Sequence, residues 1–193
     1  MKILVTGGAG GVGTNLIEKL LELGHEVTSW DNYSAGLESN HIEGATYVNR
    51  DTREMSYGTG PGSIKGFDLV YHLGEYSKVV PSFDIPELAF RYNLDGSMRV
   101  LESCRHENIP VVYAGSSKLF QCYGDWYDLK FNICYFYNVY GPRTETWGNE
   151  WQTVINIFRD QKKAGKNLTI TGDGTQKRDF THVEDIVQGL ILA

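Results

Sequence analysis

Thr6–Gly13 reads TGGAGGVG, and its flanks decide what it is. Ile3, Leu4 and Val5 form a short apolar run before it, and Leu16, Ile17, Leu20, Leu21 and Leu23 follow at helical spacing up to Gly24. The stretch is therefore strand, glycine loop, helix. It satisfies Thr-Gly-x-x-Gly-x-x-Gly through Gly7, Gly10 and Gly13, and Gly-x-Gly-x-x-Gly through Gly8, Gly10 and Gly13. With no Cβ in the way, backbone N–H groups of a loop running through Gly7, Gly10, Gly11, Val12 and Gly13 can meet a diphosphate at the positive end of the helix dipole. The competing reading is a tight turn that only packs helix on strand.

Working outward, His25–Trp30 (HEVTSW) predicts a second strand that ends at Asp31, 18 residues after Gly13. A carboxylate there accepts from adenosine ribose hydroxyls and repels a 2′-phosphate, which favours NAD over NADP. The alternative is a turn residue beside Asn32. Phe67–His72, Val111–Tyr113 and Ile133–Tyr137 are further short strand-like runs separated by helical patterns. This alternation predicts an α/β fold, a Rossmann-like doubly wound parallel sheet. Within Pro86–Arg105, the residues Ala89, Tyr92, Asn93, Gly96, Val100 and Leu101 share one helical face, so an amide and a glycine are expected to face the sheet. Tyr57–Gly66 (YGTGPGSIKG) reads as a flexible connection. Beyond Pro142 the pattern predicts a helix near Trp151–Ala164, a strand at Leu168–Thr171, a turn at Gly172–Thr175 and a helix after His182.

The 193 residues suit one domain, or one domain with a partial second. With 18 basic and 24 acidic residues the formal charge is −6, which offers no general attraction to nucleic acid or to a membrane surface. Cys104, Cys122 and Cys134 form neither a Cys-x-x-Cys nor a zinc-ligand pattern, and a reducing cytoplasm fits them best. No metal site is expected. The opening MKILVTGG is too brief an apolar run for a signal peptide.

The chain resembles the extended short-chain dehydrogenase/reductases, specifically the NAD-dependent nucleotide-sugar epimerases and dehydratases. The likeness rests on TGGAGGVG, Asn49-Arg50-Asp51, HLGEYSKVVPSF from His72, NLDGS from Asn93, VVYAGSS from Val111, YNVYGPR from Tyr137 and GDGTQKRDFTHVEDIV from Gly172, in that order. The resemblance implies that Asp31, Asn32, Asp51 and Thr52 lie along the adenosine half of the cofactor, with Asp51 accepting from the adenine amino group; the alternative for Asp51 is a solvated acid beside Arg50 and Arg53. It also implies that Leu73, Gly74 and Asn93 pass close to the cofactor, with a buried amide bonding only to backbone as the alternative for Asn93. Lys78 is near the position of a lysine that contacts the pyrophosphate, with a solvated surface lysine as the alternative. Ser116 matches the hydroxyl set against the sugar's reacting oxygen, with a strand-end serine capping a turn as the alternative; Asn138 and Arg178 match positions that hold a sugar nucleotide's diphosphate, with a loop arginine paired with Asp179 as the alternative for Arg178. The implied reaction is transient oxidation at sugar C4. The implied architecture is an NAD-binding domain at 1–140 and the start of a sugar-nucleotide-binding lobe, truncated, at 141–193. Pairing into a homodimer is also implied.

One departure concerns the chemistry. The family takes the hydroxyl proton with a tyrosine whose pKa is lowered by a lysine one helical turn later. No tyrosine of this chain has a lysine four residues on. The segment between Ser117 and Asn138 is too short for the loop, helix and strand expected there, so the chain reads as internally shortened near 117–123. The nearest substitute, Tyr127 with Lys130, is expected at the helix end remote from the nicotinamide. An enzyme of this family and a catalytically inactive dinucleotide-binding module derived from it therefore both stand as readings.

Overall fold

The computed structural model describes residues 1–77, 79–115, 118–144 and 153–193, without the side chains of 79–81 and 118–119. Six strands form one parallel sheet: β1 (Lys2–Thr6), β2 (Glu26–Asp31), β3 (Thr46–Asn49), β4 (Leu69–His72), β5 (Val111–Ala114) and β6 (Phe131–Cys134). Their spatial order is β3-β2-β1-β4-β5-β6. The chain thus builds outward from β1 to β3, then returns to lay β4 against the other side of β1. A crevice opens where that order reverses, outside the carboxyl ends of β1 and β4.

Alternation along the strands sorts the core into two layers. On one side, Ile3 and Val5 of β1 pack with Leu16, Ile17 and Leu20 of α1 (Gly11–Glu22) and with Val183, Ile186 and Leu190 of α7 (Val183–Leu192). Leu4 points the other way, toward Val100, Leu101 and Cys104 of α4 (Ser97–Glu107) and Phe120 and Tyr123 of α5 (Lys118–Tyr127). Each fully buried Leu or Ile side chain is worth about 2 kcal/mol, so this period of two fixes the strand register. The helix α7 lies in the stretch expected to begin a separate lobe, yet it completes a layer of the main sheet.

The remaining elements are α2 (Val79–Asp84), α3 (Pro86–Phe90), a π-helical turn at Arg91–Gly96 leading into α4, α6 (Val154–Lys163), and a small parallel pair formed by β7 (Val139–Tyr140) and β8 (Thr181–His182). His182 caps α7 by accepting the Glu184 N–H.

Several expectations need correction. The strand expected at Ile133–Tyr137 is Phe131–Cys134, because the ladder with Val111–Ala114 sets its span and the chain leaves the sheet before the exposed Tyr135 and Tyr137. Leu168–Thr171 forms no strand: Leu168 and Ile170 are exposed and the segment has no ladder partner among the described residues, without which an extended run is not a strand. The connection at Tyr57–Gly66 is pinned, since Ile64 is fully buried and Ser56 bridges Ser63. Gly96 faces the turn after β3, where a Cβ would run into the Thr52 hydroxyl, and not the sheet.

Candidate functional site

The crevice at the switch point is built from the glycine loop after β1 and the segment after β4. Gly7 has φ +72°, and a Cβ on it would lie 2.7 Å from the Leu73 carbonyl oxygen, so only glycine allows the two strand ends to approach this closely. A Cβ on Gly13 would run into the Gly7 carbonyl, so the first turn of α1 sits directly on the loop. The N-cap is Gly10, with no side-chain cap and no acidic residue in the first turn. The first ladder bond of α1 is Thr14 N–H to the Gly10 carbonyl. The N–H groups of Gly11, Val12 and Gly13 precede that ladder and form the positive end of the helix, an anion cradle that any capping side chain would fill. The residues present fit a dinucleotide diphosphate.

Gly11 has a second duty that the motif does not reveal. A Cβ there would lie 2.7 Å from the Cα of Thr144, because the segment Gly141–Thr144 crosses over the start of α1. Asn15 donates to the Pro142 carbonyl at 2.9 Å, and Arg143 donates to Asn15 and pairs with Glu18. These contacts join residues more than a hundred positions apart, and spacing alone carries no signal for them.

Asp31, at the end of β2, is 7 % exposed. Its carboxylate accepts the Ala9 N–H at 2.9 Å and the Tyr33 N–H at 2.8 Å. Burial raises its pKa, and those two N–H bonds oppose the rise. Asn32 donates to Asp51 at 3.0 Å, which brings the ends of β2 and β3 together. Asp51 also caps the helical turn Thr52–Glu54 and accepts both Nε and Nη2 of Arg53 at 2.9 Å. Burial pushes its carboxyl up, but the Arg53 and Asn32 bonds outweigh that and hold it below its ordinary value. Its oxygens are thus engaged by Arg53, a partner that the sequence offered only as a neighbouring charge. Thr52 is buried against Gly96.

After β4, Leu73 and Gly74 donate to the backbone and hydroxyl oxygens of Thr6, at 3.2 Å and 3.1 Å. Asn93 spans the backbone of Tyr76, accepting its N–H at 2.6 Å and donating to its carbonyl at 2.9 Å. Its amide therefore acts on the loop beside the cradle. His72 and Glu75 lie in HLGEYSKVVPSF and Ser97 ends NLDGS, and the motif reading gives none of them a role, yet here they form one polar group in which His72 and Ser97 are buried and Glu75 half-buried. Ser97 lies four residues after Asn93 on the same helical face, and an apolar count passes over it.

Asn138 and Arg178 are brought to one place. Asn138, at φ 42°, donates to the Asp179 carbonyl at 2.8 Å, and Arg178 is exposed. Lys78 and Ser116 lie outside the described residues. Tyr127 is exposed under the Arg105 guanidinium, and Lys130 immediately precedes β6. Both therefore lie at the amino-terminal edge of the parallel sheet, opposite the glycine loop. Among the described residues no cluster of His, Cys, Asp or Glu could hold a metal ion, and no helix is long and apolar enough to cross a membrane.

A parallel sheet of this order, with a capless glycine loop at its switch point, defines a dinucleotide-binding α/β protein. Comparison with known proteins narrows the class. The NAD dependent epimerase/dehydratase family matches residues 3–124 and 118–193. A putative UDP-glucose 4-epimerase of Methanocaldococcus jannaschii is 28% identical over 224 residues, covering 99% of this chain and 72% of that protein. The crystal structure of UDP-glucose 4-epimerase from Thermotoga maritima with UDP-glucose superposes with TM-score 0.89 at 26% identity, covering 100% of this chain and 72% of that one. The Thermus thermophilus UDP-glucose 4-epimerase complex with NAD gives 0.85 at 26% identity, over 100% and 74%. This chain belongs to the NAD-dependent epimerase/dehydratase family.

Proposed function

We propose that the chain binds NAD with its diphosphate on the N–H groups of Gly11, Val12 and Gly13, while Gly7 and Gly10, whose own N–H groups donate to the Trp30 and Gly7 carbonyls, shape the loop, and that it derives from an enzyme acting at C4 of a nucleotide-activated hexose. The observation that carries this reading is the close approach of Gly7 to Leu73 at the switch point, beside first-turn amides that have no cap. Asp31 and Asn32 face the adenosine end, Asp51 and Thr52 support it, Leu73, Gly74 and Asn93 border the cofactor's path, and Lys78 is the residue proposed as a cation for the diphosphate. Asn138 and Arg178 stand together as donors for a sugar nucleotide's diphosphate, which suits an amide and a guanidinium. Ser116 is the hydroxyl proposed for the reacting sugar oxygen. Bound NAD supplies hydride acceptance at the sugar carbon. The chain's own part is to orient the two ligands and to receive the hydroxyl proton.

That last duty favours a second reading. With no tyrosine placed four residues before a lysine, the 193 residues suit a dinucleotide-binding module without turnover. Two findings support a shortening near 117–123. The two family matches overlap at 118–124, and the alignment with the Methanocaldococcus jannaschii relative runs over 224 positions, more than this chain contains. A reducing cytoplasm and pairing through flanking helices complete the proposal; free Cys104, Cys122 and Cys134 support the first, and exposed Phe90 and Trp126 the second.

Titration of the purified chain with NADH, followed by incubation with NAD and a panel of UDP- and GDP-hexoses, tests both readings. Cofactor binding with product formation establishes the enzyme, and binding without product establishes the module. Absence of binding removes both. An intact mass on natural material, set against 21.7 kDa, shows whether the working chain carries residues beyond these.

A further inference from the structure

Beneath the glycine loop runs a chain of polar groups that crosses the carboxyl ends of β1, β4 and β5, with Thr6, His72, Ser97 and Tyr113 buried and Glu75 half-buried at its end. The Gly74 N–H donates to the Thr6 hydroxyl at 3.1 Å, and that hydroxyl lies 2.8 Å from His72 Nδ1. His72 Nε2 lies 3.0 Å from the Ser97 hydroxyl, which donates to Glu75 Oε1 at 2.7 Å. The Tyr113 hydroxyl donates to the same oxygen at 2.7 Å.

Counting hydrogens fixes the direction of every bond. Ser97 has one hydroxyl hydrogen, and Glu75 receives it. His72 Nε2 must therefore carry a hydrogen for Ser97 to accept. His72 is fully buried, which pushes its pKa down to about 3, so the ring is neutral and Nδ1 is a lone pair. Thr6 then has to donate to Nδ1, which leaves its oxygen to receive the Gly74 amide. All hydrogens run from Gly74 toward Glu75, and the carboxylate is the terminal acceptor.

Gly74 is also the residue whose segment packs on the cradle, since a Cβ there would lie 3.0 Å from the Thr6 hydroxyl and 3.2 Å from the Gly7 nitrogen. We propose that Glu75 is a positioning residue for the cradle: as terminal acceptor it sets the Nε2–H tautomer of His72, and through Thr6 it holds the Gly74 amide beside Gly7. The role rests on the dinucleotide-binding reading. The tautomer itself is independent of any ligand. An unsatisfied or reversed bond at Thr6, His72 or Ser97 costs more than a solvated one, because these three groups are fully buried and have no water to turn to.

Long-range ¹H–¹⁵N correlation spectra of the full chain near neutral pH, assigned with H72Q, read the tautomer, and NADH fluorescence titration reads the cradle. The expected wild-type signal is a neutral Nε2–H ring. Glu75→Gln, whose amide oxygen can still accept, keeps that signal. Glu75→Ala frees the Ser97 hydrogen, mixes or reverses the tautomer and weakens NADH by about tenfold. Ser97→Ala cuts the same chain from the other side and serves if Glu75→Ala does not fold. An Nδ1–H ring in the wild type overturns the proposal. So does an alanine variant that leaves the tautomer unchanged, or one that changes the tautomer with no effect on NADH. Failure of wild-type protein to bind NADH removes the dinucleotide reading and the positioning role with it, whereas a wrong tautomer in protein that binds NADH removes the role alone.

Discussion

Asp31 accepts the backbone N–H of Ala9 at 2.9 Å, tying the end of β2 to the middle of the glycine loop. The same carboxylate takes the Tyr33 N–H, so both donors lose their acceptor in Asp31→Ala. That variant is expected to lose about 1–3 kcal/mol of stability, read by urea unfolding. Asp31→Asn retains one amide oxygen as an acceptor and loses less. The wild type is expected to bind NADH more tightly than NADPH, and removal of the negative charge to narrow the gap, read by parallel titrations.

Gly7→Ala places a Cβ 2.7 Å from the Leu73 carbonyl on a backbone at φ +72°. Both strain and clash act, so the loss is expected to exceed about 1 kcal/mol. The melting temperature reads the stability, and NADH titration is expected to show weaker binding than in Gly24→Ala. Gly24 also has positive φ, at +80°, but a Cβ there meets nothing within 4 Å.

Asp51 holds a lowered pKa through Arg53 and Asn32, so its contribution is full above the ordinary carboxylate range and disappears as pH falls through its folded value. Asp51→Asn is expected to cost about 1 kcal/mol at pH 7. The gap between variant and wild type is expected to close in strong acid, when both side chains are neutral. Denaturant unfolding at a series of pH values follows it.

His72 has the same sign for the opposite chemical reason. Its folded pKa of about 3 lies below the ordinary 6.5, so the unfolded state binds the extra proton and stability falls as pH drops through that window. The expected slope is about 1.4 kcal/mol per pH unit for one proton. Burial raises the carboxyls of Asp31 and Glu75, which therefore act with opposite sign just above the ordinary carboxylate range. Comparison with His72→Gln isolates the imidazole, and an unchanged slope in that variant counts against it.

Arg143 bridges Asn15 and Glu18 while its own backbone sits at φ 58°. Its ion pair is partly solvated, so Arg143→Ala is expected to change global stability by no more than about 1 kcal/mol. Hydrogen exchange is expected to rise in residues 139–144 above α1, with α4 unaffected. That pattern distinguishes a local tether from a global one.

The residues TGGAGGVG, with an apolar run before and a helical pattern after, determined strand, loop and helix, because glycine spacing and hydrophobic period are local properties of the chain. Asp31 was legible for the same reason: it ends an alternating strand at a fixed distance from the loop. Spacing could not say what each polar atom would touch. Arg53 claims Asp51, Asn93 spans Tyr76, and Thr144 crosses Gly11. The chain from Thr6 through His72 and Ser97 to Glu75 exists only because the return of β4 to the side of β1 brings residues from distant segments to one sheet edge. Leu168–Thr171 makes the same point from the other side, since an extended apolar run becomes a strand only when a neighbour presents its backbone. Local periodicity therefore decided the elements, and the order in which the strands assembled decided which buried donors met which acceptors.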